Sequence, residues 1–193
     1  MTHPLSEGLI AAIRAEFPDF RIVPKQGNAF SRLIDVCLRL VTAGAMRRYS
    51  THYHTVIGYT LYVAGIWWDM SDVARVILLR HELVHLRQRR RYGFALFAFL
   101  YLVPWFPLGL AYGRARLEWE AYRETLAATL EFAGPNALTQ PSLRHEIVRR
   151  YVSGDYGWMW PFPTAVGRWF DDAVAELLAQ HTAPPPARAL EPG

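Results

Sequence analysis

Between Tyr92 and Gly113 the chain runs 22 residues without a charged side chain. As one helix that stretch would be about 33 Å long, enough to cross the hydrocarbon of a bilayer. Two prolines oppose a straight span. Pro104 and Pro107 each remove a helix hydrogen bond, and Pro104-Trp105-Phe106-Pro107 reads as a turn. Arginines stand on both flanks, Arg89 to Arg91 before the segment and Arg114 and Arg116 after it. That arrangement fits two ends lying on one side of any membrane. The segment therefore predicts an apolar helical hairpin reversing near Pro104 to Pro107, which sets the elements before and after it side by side. Terminal helices of the same chain would cover such a hairpin in one version. In the other it touches a membrane surface and leaves Phe97, Leu100, Trp105 and Phe106 exposed.

The element ahead of the hairpin carries His81-Glu82-Leu83-Val84-His85, the pattern H-E-x-x-H. On a helix, two imidazoles four residues apart project from one face and can meet at a single Zn²⁺. Glu82 lies near the same face and is free of the ligand role, so it can take a proton from water at such a site. A catalytic zinc needs three protein ligands and one open position. No third histidine follows closely, and the donor is sought in the acidic helix after the hairpin. There, positions 116, 120, 123, 124, 127 and 131 form a polar face, while 118, 121, 122, 125 and 128 form a face of mostly small residues. A carboxylate on the second face would be buried and in need of a cation. Glu118 is the predicted third ligand, with Glu120 as the rival register.

HELVH followed by a glutamate on a second helix resembles the gluzincin clan of zinc metallopeptidases. Glu118-x-x-Ala121 is similar to the E-x-x-A-D/N run of its small members, over about residues 50 to 132. The resemblance implies a minimal zincin-like domain, Zn²⁺ as cofactor, and hydrolysis of peptide bonds in a peptide or protein substrate with Glu82 as general base. It also implies that Gly58 to Val63, ahead of the motif helix, is an edge strand along which substrate backbone pairs. The chain departs from the family at Tyr122, where an Asp or Asn usually orients the first histidine. Two alternatives remain beside this reading: a catalytically inactive metal-holding scaffold, and a membrane-associated interaction protein.

The periodicities predict an α+β, mainly helical chain, a single domain over 1–182 with a Pro-rich tail, 183–193, expected to be disordered. Helices are predicted over 7–17 with Ser6 as N-cap, 29–45, from Asp69 or Ser71 to Arg91, 118–132, 142–152 and 164–180. Residues 18–28 read as turns, and Tyr53 to Val63 as a strand broken by Gly58 in a small antiparallel sheet. Cys37 is the sole cysteine, which excludes an internal disulfide and a cysteine-based zinc site. All but one of the 21 basic residues are Arg, and the run Arg87, Arg89, Arg90, Arg91 is read as a solvated helix end. Nucleic acid is not an expected partner. No basic-then-apolar leader is visible, so a cytoplasmic location is expected, with membrane association through 92–113 as the variant. His52 and His54, His145, and the aromatic run Tyr156 to Trp160 are weaker candidates for the site; ordinary structural roles are expected for all of them.

Overall fold

A computed structural model describes residues 3–25, 54–102, 111–153 and 159–182. The chain is mainly helical with one small sheet. Its elements run α1 (Pro4–Glu16), β1 (Arg21–Pro24), β2 (Thr55–Ile57), β3 (Thr60–Val63), a 3₁₀ turn (Gly65–Asp69), α2 (Asp72–Leu102), α3 (Tyr112–Ala133), α4 (Pro135–Leu138), α5 (Pro141–Val152) and α6 (Pro163–Thr182). The helix predicted over 29–45, the turn at Pro104 to Pro107, Cys37, His52 and the tail lie outside the described residues.

The sheet corrects several expectations. It is mixed rather than antiparallel, in the order β1-β3-β2, with β1 parallel to β3 and β2 antiparallel to it. The region read as turns supplies β1, because Ile22-Val23 is a β-branched pair and Pro24 is tolerated at an edge. The predicted single strand is a hairpin, folded at Gly58 with φ 66, which only glycine enters without penalty. Thr60–Val63 is thus the central strand, flanked on both sides, and cannot serve as the edge for substrate. The edge beside the motif helix is β2.

Ser6 does not cap α1. The helix begins at Pro4, and Ser6 is buried in its first turn. The free N–H groups of Leu5 and Ser6 instead donate to the Asp72 carboxylate, both at 2.9 Å, so the start of α2 caps α1 from outside. Ser71 Oγ accepts from Ala74 N–H at 3.2 Å and caps α2 as predicted.

Two apolar clusters hold the molecule. In one, Ile13 of α1 and Phe17 just after it, Leu61 and Val63 of β3, and Leu79, Leu83 and Leu86 of α2 pack together. In the other, Trp119, Tyr122, Leu126 and Leu130 of α3 pack on Ile147, Tyr151, Met159, Val166 and Phe170. Helices α2 and α3 lie against each other between the clusters. Ala121 and Ala128 on α3 are wholly buried, and their small side chains keep the two helices close. Leu126 is fully buried, so Leu126→Ala should leave a cavity costing about 2–5 kcal/mol. Thermal melting should show that as a fall in Tm of roughly 4–20 °C.

Gly93 breaks α2 with φ 73 and ψ 162, a region essentially restricted to glycine. Beyond it the arm 94–102 returns against the start of α3, where a Cβ on Gly113 would meet the Leu100 carbonyl oxygen at 2.9 Å. The two ends of the apolar segment thus lie side by side at Leu100 and Gly113. No helix among the described residues is long and apolar enough to cross a membrane.

Candidate metal centre

Three donors converge where α2 and α3 meet. His81 and His85 lie one helical turn apart with ring centroids at 5.0 Å, and Glu118 of α3 faces both. One Glu118 oxygen is 3.7 Å from His81 Nε2 and the other is 3.8 Å from His85 Nε2. One donor atom from each residue lies within 4.8 Å of the others. Ligands at about 2.0–2.1 Å from a tetrahedral ion stand roughly 3.3–3.4 Å apart, so the gap is close to one ion wide. Glu118 is only 3% exposed and His85 8%.

Both rings are oriented from behind. His81 Nδ1 lies 3.0 Å from Thr125 Oγ1, whose own hydroxyl donates to the Ala121 carbonyl at 3.2 Å. Thr125 therefore accepts from the His81 Nδ1–H. His85 Nδ1 lies 2.9 Å from Gln88 Oε1, and Gln88 Nε2 donates to Leu117 O and Glu120 Oε2, each at 2.9 Å. The amide orientation follows from those two acceptors, so His85 Nδ1–H donates as well. Each ring then turns its Nε2 lone pair toward Glu118. Burial, and next His85, push His81 down to about 3, which keeps the imidazole neutral and able to ligate.

Glu82 is buried beside this group. Burial pushes its carboxyl up to about 7, Glu118 adds to the rise, and His85 and Lys25 oppose it. Tyr122 stands edge-on to His81 at 5.0 Å between centroids. Burial raises its hydroxyl well above the ordinary value, and that hydroxyl accepts from Arg150 Nη1 at 3.3 Å. Tyr122 offers the His81 ring no carboxylate; Thr125 holds that ring.

Comparison of the chain with family models, with curated proteins and with solved structures found no match in any of the three. The geometry alone carries the functional reading.

The structure thus brings together the predicted set of His81, His85 and Glu118, with Glu82 alongside. Glu120, the rival, is exposed on the polar face and bonded to Gln88. His54 packs edge-on against Trp67 and accepts from Ala64 N–H through Nδ1 at 3.3 Å, a structural role. His145 is exposed on α5. Met159 is core, and Trp160 stacks on Trp169, while Tyr156 to Trp158 lie outside the described residues. A groove between α1, α2 and α3, bordered by Leu5, Leu9, Val76 and Arg80, includes none of the three donors.

Sequence reasoning missed Gln88, Thr125, Lys25 and Arg150. Gln88 was within reach, since it sits three residues after His85 on the same helix. Thr125→Val keeps shape and removes the acceptor for His81 Nδ1–H. It should weaken zinc about 10–100-fold in a competition titration with a chromophoric chelator, and Thr125→Ser should restore it.

Proposed function

We propose that this chain is a zinc-dependent metallopeptidase. The observation that carries the reading is a His81–His85–Glu118 donor set, its last two members buried, with a buried glutamate, Glu82, next to the first histidine in sequence. Two imidazoles and a carboxylate suit Zn²⁺, and a carboxylate buried to 3% exposure is stabilised by a dication held among these donors. Bound there, zinc supplies a Lewis acid that polarises the scissile carbonyl and lowers the pKa of water to about 7.

The rest is done by the chain. His81 and His85 keep Nε2 aimed inward because Thr125 and Gln88 hold their outer N–H groups. Glu82 accepts the proton of the attacking water and passes it to the leaving amine. Its buried setting favours a proton acceptor that works near neutral pH rather than an always-ionised surface acid. The β2 edge, adjacent to α2, is where an extended peptide would add backbone hydrogen bonds.

The reading is tested by metal analysis of purified protein together with hydrolysis of a quenched fluorescent peptide library. About one zinc per chain and cleavage that stops with 1,10-phenanthroline and returns with added zinc are expected. Stoichiometric zinc without cleavage of any library member would make the chain a metal-holding scaffold. Absence of metal binding would reject both.

A further inference from the structure

The hairpin arm presents a second surface, independent of the metal reading. Phe94, Leu96, Phe99 and Tyr112 are large apolar or aromatic side chains left 66%, 48%, 55% and 49% exposed. Phe97 and Leu100 are the partly covered members of the arm, with Leu100 set against Gly113, so the exposed side differs from the one expected from sequence. A soluble chain seldom leaves so many large apolar groups together on one short element.

The charges around the arm say what covers it. From Leu83 to Leu117 the chain holds six arginines, Arg87, Arg89, Arg90, Arg91, Arg114 and Arg116, and no acidic residue. They stand on both strands of the hairpin's base, and none lies on the arm beyond it. Arg87 and Arg90 are paired with Glu16 of α1. Arg89 lies over the Tyr59 ring at 4.0 Å, and its Nε and Nη1 have no hydrogen-bond partner. Arg91 and Arg116 are exposed. An exposed apolar arm flanked in sequence by cations on both sides is complementary to an anionic membrane leaflet, apolar inside and negative at its face.

We propose that the hairpin docks the protein on an anionic lipid leaflet, with Phe94, Leu96 and Phe99 entering the acyl region and Arg91 and Arg116 meeting headgroups. The break at Gly93 turns the arm away from the line of the packed part of α2, and its covered side, with Leu100, stays against α3. Docking of this kind needs no spanning helix.

The test is co-sedimentation of the full chain with vesicles of phosphatidylcholine alone or with about a third phosphatidylserine. Strong binding to the phosphatidylserine vesicles and little to phosphatidylcholine is expected. Arg91→Ala with Arg116→Ala should weaken binding roughly 30-fold, at about fivefold per arginine. Phe94→Glu with Phe99→Glu should abolish it, and as both positions are exposed, thermal melting should confirm that the variant is folded. Wild type left in the supernatant with both vesicle types would overturn the proposal. So would a lipid-free dimer, by light scattering, that Phe99→Glu converts to monomer, because a second copy would then cover the arm.

Discussion

Glu82→Gln is expected to retain its zinc and its melting temperature in the metal-loaded form while losing peptide hydrolysis by about 10²–10⁴-fold, the range typical of a general base. The substitution keeps the size of the side chain and removes only its capacity to take a proton. Since Glu82 is buried, a neutral amide should be no harder to accommodate than the carboxyl, and folding is not at risk. Zinc stoichiometry and initial rates on the same preparation separate the outcomes. Turnover equal to wild type would remove Glu82 from the mechanism whatever the metal content.

The second large effect concerns the third donor. Glu118→Gln should lower zinc affinity by two orders of magnitude or more, because a charged ligand becomes a weak neutral one. Glu120→Gln, two residues away on the exposed face, should change it by less than tenfold, through its contact with Gln88 alone. Isothermal titration of metal-free protein with zinc reads both. Equal losses in the two variants would mean that either glutamate can serve, and a loss confined to Glu120→Gln would move the ligand by two positions.

That choice was legible before any coordinates, and the reason is geometric. Helix periodicity separates Glu118 from Glu120 by about 200°, so only one can share a face with Tyr122 and Thr125. The histidine pair was legible for the same reason, both residues lying on one element. What supports the rings was harder to see. Thr125 meets His81 only through the register of α3 against α2, a relation between two helices that neither sequence pattern contains. The sheet misled in a similar way. Ile22-Val23 is a two-residue signal between prolines, too short to outweigh turn chemistry, and its pairing with Thr60–Val63 decides which strand is the edge. Asp72 capping α1 is another contact across elements, invisible to a reading that seeks each helix's cap in its own flank.

The two apolar clusters divide the donor set between them. His81 and His85 ride on the helix anchored in the cluster with α1 and the sheet, whereas Glu118 rides on the helix anchored in the cluster with α5 and α6. A zinc ion bound by all three is therefore a rivet through the seam between two separately packed halves. Its binding energy is also the energy that resists their sliding apart, about 4 kcal/mol when free metal stands a thousandfold above its Kd. The rivet would work in both directions: a load that shifted one half against the other, as when the hairpin is pulled at a surface, would widen the gap between the histidines and Glu118.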